Sequence, residues 1–450
     1  MMRTIFYLSI FLLVLCPQNS RAGDPLNVIL LLSDDHNYRA LGCSGNEVIR
    51  TPNLDRLASE GVYFNRCFTP NPICTPSRAC VYTSQDSWSS GVTFNGKTIP
   101  DDAPTLPKLL SAGGYETSFI GKWHNDGKPW TRGYTSGGRC WAGGKFDQFA
   151  MALTPFGGEA EDREISKVYS TTAFSDDAVK YLNKNHPKPF CLVVAYTVAH
   201  DAFRAPPGYE GKYDPATIQL PPNFMAKPPF KQFNPAIRDE TVLPLPRAES
   251  DIRKTLAEYY AMIEHMDFHI GRILETLNQK GLAENTLVIF SSVKGMSMGS
   301  HGIIGKQTMY EEGLRTSLIV RHPNLKRFSK INSALVSTMD ILPTICDAGQ
   351  LEIPKEVEGE SLLGQYEGRR GGRDRLFFSY HDPNRETVTR AMRMKNHKLI
   401  HHLLTDEKQF FDLSIDPYEL NNLTGTPELE AIESTMMSDL LKWRGSHEDK

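Results

Sequence analysis

The 450-residue chain lacks an excess of either charge: 50 Lys and Arg stand against 53 Asp and Glu, a formal net charge of −3. Without a basic surplus to displace counterions, the balance argues against nucleic acid as a partner. A long apolar run is also missing. The longest, Ile5 to Leu15 behind Arg3, falls short of the about 20 residues that cross a bilayer. It is followed by Ser20-Arg21-Ala22, so residues 1–22 read as a cleaved signal peptide that sends a secreted or periplasmic protein out without a membrane span. Leu15 before Cys16 argues against lipidation there. Cysteine is sparse, with eight in all. Once Cys16 leaves with the signal, Cys43, Cys67, Cys80, Cys140, Cys191 and Cys346 are available for disulfides in an oxidising compartment, with Cys74 unpaired. Cys191 lies inside an apolar segment and reads as a core residue. No internal repeat stands out.

What is present is an alternation of strand-like and helix-like segments. It predicts an α/β fold with a mostly parallel central sheet flanked by helices. Leu26 to Leu32 is a continuous apolar run, the pattern of a strand buried on both faces. Tyr115 to Ile120, Phe190 to Tyr196, Thr286 to Phe290 and Ser317 to Val320 read as further strands. Thr51-Pro52 opens a helix that Gly61 closes, and Leu106 to Ser111 is a second one. Apolar residues at helical spacing predict a long helix over Asp251 to Lys280, capped by Ser250 and stopped by Gly281. The Pro-rich stretch from Pro206 to Pro246 has no periodicity and reads as a surface excursion of the kind that shapes a substrate entrance. Beyond Pro354 the texture changes. We expect an α/β domain over 23–358 and a small C-terminal α+β subdomain over 359–450, with an antiparallel sheet that includes Leu399 to His401 and Gln409 to Leu413. Arg369, Arg370, Arg373 and Arg375 read as a solvated loop.

Four polar groups lie just past the ends of separate strands: Asp34-Asp35, Lys122-Trp123-His124, His200, and Ser292 to Gly295. In open α/β sheets that edge binds ligands. Two adjacent carboxylates after an apolar strand need compensation, and a hard cation with oxygen ligands, such as calcium, is the natural partner. Cys74-Thr75-Pro76-Ser77-Arg78 leads into a short helix whose free N–H groups favour an anion. Arg78 falls one turn beyond Cys74 and can return to the same anion. His265 and His269, one turn apart on the long helix, read as surface histidines.

The Cys74 to Arg78 pattern, with Gly121-Lys122-Trp123-His124 and the run Gly305 to Gly313, resembles the type I, formylglycine-dependent sulfatases of the alkaline-phosphatase-like superfamily. The resemblance runs from about Asn27 to Leu423. It implies that Cys74 is converted by a formylglycine-generating enzyme into the nucleophile that attacks sulfur. It further implies that Arg78, Lys122, His200 and Lys306 serve sulfate binding and leaving-group protonation, and that His124 takes the hydroxyl proton. Asp34, Asp35 and modified Cys74 would be ligands of Ca2+. The substrate implied is a sulfated small molecule or glycan, with a sulfated carbohydrate expected. Tyr82 and Ser84 depart from the Leu and Gly usual in the signature, and His301 matches a family-like block with no assigned chemistry.

One block departs more seriously. Where the family has Ser-Asp-His-Gly or Ser-Asp-Asn-Gly, completing the calcium shell, this chain has Ser292-Val293-Lys294-Gly295. Either calcium is held weakly by the remaining ligands, or the Lys294 ammonium takes its place. A shifted register would instead bring in Glu311 or Glu312. Two functional classes follow: a sulfuric ester hydrolase, or a catalytically impaired relative that binds sulfated glycans. A phosphatase or phosphonate-ester hydrolase of the same superfamily is a third, less favoured, because those relatives commonly use Thr or Ser and two metals.

Overall fold

The computed structural model describes residues 25–144, 146–231, 235–382 and 387–447; the expected signal peptide and Cys16 lie outside them. A nine-stranded sheet forms the centre. Its order runs Ile331–Asn332, Val62–Phe68, Arg315–Arg321, Thr286–Ser292, Asn27–Ser33, Phe190–Ala195, Glu116–Lys122, Ser136–Trp141, with Val336–Ser337 also paired to Val62–Phe68. Pairing is parallel except around Arg315–Arg321, which runs antiparallel to both neighbours.

Every residue of Asn27–Ser33 is buried. Ile29 and Leu31 enter one apolar cluster and Val28, Leu30 and Leu32 the opposite one, the period-two division of a strand covered on both faces. The long helix, Glu249–Gln279, closes the first face through Ile252, Ile263, Met266 and Ile270. Leu106–Ala112 and Ile341–Ala348 close the second. Ser250 falls inside the long helix, which Ala248 precedes without a side-chain cap; Gly281 ends it at φ +68°. Nor does Thr51 cap its helix. The amides of Asn53 and Leu54 are taken instead by Asp267 of the long helix, at 3.1 and 2.7 Å.

A separate four-stranded antiparallel sheet, Arg375–His381, Val388–Met394, His397–His402 and Glu407–Asp412, fits the expected C-terminal subdomain. Helix Glu430–His447 covers it through Met436 and Leu440. Glu311 joins the two parts, pairing with Arg393 at 3.1 Å and Lys398 at 3.2 Å in buried surroundings. No described helix is long and apolar enough to cross a membrane.

Two expectations, on the cysteines and on the paired histidines, are corrected. All seven described cysteines are free thiols. Arg369 and Arg370 lie in the exposed loop expected, with Arg373 largely covered and Arg375 exposed at the strand start, and they pair with Glu367, Glu360, Asp340 and Asp439 respectively. His265 and His269 are buried, with their Nε2 atoms 3.2 Å apart.

Candidate active site

The strands that end at Ser33, Lys122, Ala195 and Ser292 lie side by side, and their following residues meet at one sheet edge. Asp34 and Asp35 are fully buried there. Asp35 has φ +54°, a conformation that costs a non-glycine residue energy and persists only where surroundings impose it. Its carbonyl accepts a 2.6 Å hydrogen bond from Tyr259 of the long helix. His124 is likewise left-handed, at φ +44°. Gly121 permits the turn toward it: at φ +102° a Cβ would sit 2.1 Å from the Ala195 carbonyl.

Cys74 is the first residue of the helix Cys74–Thr83, and Pro76 lies in its first turn. The thiol is buried, and its sulfur lies within 4.8 Å of ligand atoms of Asp34 and His200. Burial pushes the thiol up, but the ammoniums of Lys294, Lys306 and Lys122 outweigh it and hold the group well below an ordinary cysteine. Arg78 returns to the same place, as expected. Its Nη1 donates to the Lys122 carbonyl at 2.8 Å, and Nη2 lies 3.2 Å from Asp34 Oδ2. That Nη2 contact is an ion pair without hydrogen-bond alignment, which leaves a buried donor for another acceptor.

Lys122 Nζ donates to Asp34 Oδ2 at 2.6 Å, and Lys306 Nζ to Asp35 Oδ2 at 2.6 Å. His200 stands beside them, its Nδ1 2.7 Å from Asp201 Oδ1 and its Nε2 3.6 Å from Asp35 Oδ2. Burial and the Lys306 and Lys122 ammoniums lower its pKa, yet the Asp35 and Asp201 carboxylates carry it above the ordinary histidine value. Lys306 and Arg238 also approach Nε2, both at 3.4 Å. These contacts are long, so the short Asp201 contact fixes the ring. His124 touches the Cys74 sulfur and moves the other way, lowered by burial and by nearby Lys122. Thus all six residues expected to do chemistry, Cys74, Arg78, Lys122, His124, His200 and Lys306, are brought together with Asp34 and Asp35. His301 is not among them; it stacks on Tyr310 at 3.7 Å and reaches the Glu419 carbonyl.

Sequence reasoning missed an outer ring. Arg238 pairs with Asp201 at 2.9 Å and with Asp239 at 2.5 Å, while Asp239 lies 3.3 Å from Lys306. Phe146 places its ring 5.0 Å from Lys122 Nζ. Arg238 and Asp239 come from the Pro-rich excursion, where an adjacent opposite-charge pair in an aperiodic stretch was the one available signal.

The atypical block settles beside the two aspartates. Ser292 pairs with Ser33 in register, and Val293 N–H donates to the Ser33 carbonyl at 3.0 Å. Gly295 is pinned too, since a Cβ there would lie 2.0 Å from the Glu312 carbonyl. Val293 packs into the core. Lys294, fully buried, inserts its ammonium between the carboxylates, against Asp34 Oδ1 and 2.6 Å from Asp35 Oδ1. The second contact is an ion pair, off-line for a hydrogen bond. Glu311 and Glu312 do not substitute for the lost ligand. Glu311 faces Arg393 and Lys398, and Glu312 faces Arg39 and Asn223.

A calcium ion therefore does not fit this arrangement. All four carboxylate oxygens of Asp34 and Asp35 already face a cationic nitrogen, and Lys294 occupies the space between them. The neighbouring grouping of Asp35, His200 and Asp201 is similarly spent, since Asp201 Oδ1 serves both His200 and Arg238.

Comparison with known proteins accords with this geometry. The sulfatase family model matches residues 26–351, and a model of the N-sulphoglucosamine sulphohydrolase C-terminal region matches 299–446. An N-acetylglucosamine-6-O-sulfatase of Bacteroides thetaiotaomicron is 28% identical, over 96% of this chain and 88% of its own length. An ulvan-active sulfatase of Formosa agariphila is 29% identical, over 92% and 80%. A solved structure of a protein bound to its substrate D-glucosamine-2-N,6-O-disulfate superposes with a TM-score of 0.83 at 26% identity, covering 95% of this chain and 99% of that one. The chain belongs to the sulfatase family, within the alkaline-phosphatase-like superfamily, and is a sulfuric ester hydrolase by class.

Proposed function

We propose that this protein removes sulfate from a sulfated sugar, using a formylglycine made from Cys74 by a formylglycine-generating enzyme. The family in general relies on formylglycine and a metal ion. The supporting observation is the convergence of Cys74, at the head of a helix, with Arg78, Lys122, Lys306, His200 and His124. A glucosamine sulfate is the substrate class we favour, because a close structural relative holds a disulfated glucosamine. Export through residues 1–22 belongs to the same reading, as does a division into a catalytic-type domain over 23–358 and a C-terminal subdomain over 359–450.

Oxidised to formylglycine, position 74 supplies a hydrated aldehyde whose hydroxyl is the nucleophile toward sulfur. Arg78, Lys122 and Lys306 gather the non-bridging sulfate oxygens, where negative charge is held most strongly in a water-poor site. His200, kept protonated by Asp35 and Asp201, donates to the leaving alcohol oxygen. After the first hydroxyl has displaced the alcohol from sulfur, His124, kept neutral by burial, takes the proton of the second hydroxyl. In the same step the C–O bond to sulfate breaks and the aldehyde re-forms, ready for rehydration by water. No step of this sequence is assigned to a metal ion.

Peptide mass spectrometry after co-expression with the modifying enzyme should find the thiol-to-aldehyde conversion at Cys74. Ion chromatography should then find sulfate released from glucosamine 6-O-sulfate. A converted protein that releases none defeats the hydrolytic reading. Lys294 favours one second reading, a sulfated-glycan binder: a single-charged ammonium polarises sulfate less than a divalent ion does. Calorimetric binding of the sulfated sugar without turnover would identify that case.

A further inference from the structure

We infer that the cation at the floor of this site is a covalent part of the chain: the Lys294 ammonium replaces the family's metal ion, and the site assembles without one. The inference holds whether the bound ester is cleaved or merely retained, so it does not depend on the proposed turnover.

Three observations carry it. The strand register leaves no freedom in the placement of Lys294. Ser292 stays opposite Ser33, the Lys294 carbonyl accepts from the Ser292 hydroxyl at 2.6 Å and the His36 amide at 3.2 Å, and Gly295 is packed against the Glu312 backbone. The ammonium bridges one oxygen of Asp34 and one of Asp35, with all three side chains fully buried. Meanwhile the outer oxygens of the same carboxylates are held by Lys122, Arg78 and Lys306. A divalent ion entering here would have to displace Lys294 from both partners and leave its charge buried beside two more positive charges. At so short a separation in a buried site that repulsion is only weakly screened.

The arrangement also explains why losing a metal leaves the site cationic. Arg78, Lys122, Lys294 and Lys306 stand against two carboxylates at the floor. Asp239 lies 3.3 Å from Lys306 as a third carboxylate, which leaves one positive charge in surplus for a sulfate monoanion. Because the bridging cation is tethered, it cannot be removed by chelation or dilution.

The test uses the full chain, purified from calcium-containing buffer and then desalted. Elemental analysis should find calcium and other divalent metals far below one per chain, and the melting temperature should be unmoved by calcium chloride or EDTA. One tightly held ion per chain, or a melting point that falls with EDTA, overturns the inference. The Val293→Asp/Lys294→Asn variant, made in parallel, should acquire one calcium per chain and a calcium-dependent melting point. If it folds and still ignores calcium, Lys294 is not what excludes the ion and the inference fails. If it does not fold, the wild-type metal content decides alone. None of these readouts requires substrate, so a failure of sulfate release leaves them interpretable.

Discussion

Replacing Lys294 with methionine isolates the charge at the centre of the site. The unbranched apolar stem is kept, and the terminal ammonium is lost. Asp34 retains Lys122 and Arg78 at its other oxygen, and Asp35 retains Lys306. The two inner oxygens, however, then face each other in a space with no solvent exposure. Deleting one member of a buried ion pair costs about 3–5 kcal/mol, because the charge left behind has no compensation. The surviving partners place this case near the lower end, about 3 kcal/mol. At roughly 2 °C per kcal/mol for a large chain, the melting temperature should fall by about 6 °C in scanning calorimetry. Adding Asp35→Asn removes part of the like-charge confrontation, so the double variant should lose less than the sum of the single losses. A Lys294→Met protein melting within about 1 °C of the parent, the range of an inert surface change, would refute the bridging role.

Other expectations come from different parts of the fold. Asp267→Ala removes the carboxylate that accepts from the Asn53 and Leu54 amides and from Asn53 Nδ2; chemical denaturation should find a loss of about 1.5–3 kcal/mol, the worth of hydrogen bonds to a charged group. Ser84 ends the Cys74 helix at φ +56° while its hydroxyl donates to the Met339 carbonyl. Ser84→Ala keeps the strained backbone and loses the bond, so it should be less stable than Ser84→Gly by about 1 kcal/mol in the same assay. Glu419 is raised to about 7 by burial and by Glu311 and Glu312, against the pull of Lys398. The folded chain therefore holds a proton there that the unfolded chain releases near the ordinary glutamate value. Stability from this group is present at low pH and lost as pH rises toward 7 and beyond. Glu419→Gln should gain on the parent between about pH 5 and pH 8 in urea melts, and an unchanged gap would contradict the assignment. Cys74→Ala should abolish sulfate release while leaving the melting temperature close to that of the parent, and residual turnover would remove Cys74 from the chemistry.

Much of this architecture was legible because it depends on local pattern. Apolar runs ending in charged residues marked the strands Asn27–Ser33, Glu116–Lys122, Phe190–Ala195 and Thr286–Ser292, and with them the sheet edge where the site lies. What sequence could not give were contacts between side chains far apart along the chain. Asp267 caps a helix more than two hundred residues earlier, so Thr51 looked like the cap because nothing nearby revealed the stronger acceptor. His265 and His269 looked exposed because polar residues on a long helix usually are; here the described loops fold over them, with Tyr169 and Tyr209 edge-on to His265. Arg238 was hidden in a segment with no periodicity, which fixes neither a face nor a direction.

Lys294 is the instructive case, since composition alone gives a buried lysine no reason to exist. Its position follows from two facts that are each visible in sequence but meaningful only together. The strand Thr286–Ser292 is apolar and ends at Ser292, and the strand beside it ends at Ser33. Parallel neighbours in register deliver their next residues to the same depth, so a lysine two positions past one end must meet an acid one or two positions past the other. The same rule makes the substitution hard to reverse by a single step. Lys294→Asn alone removes the cation but leaves Val293 in the core, where it offers no ligand, and the two aspartates would be short of both ammonium and metal shell. Single Lys294→Asn should therefore be less stable than either the parent or the calcium-loaded Val293→Asp/Lys294→Asn variant, an ordering that calorimetry with and without calcium can resolve. A Lys294→Asn protein as stable as the parent in EDTA would mean that Asp34 and Asp35 do not depend on the bridge.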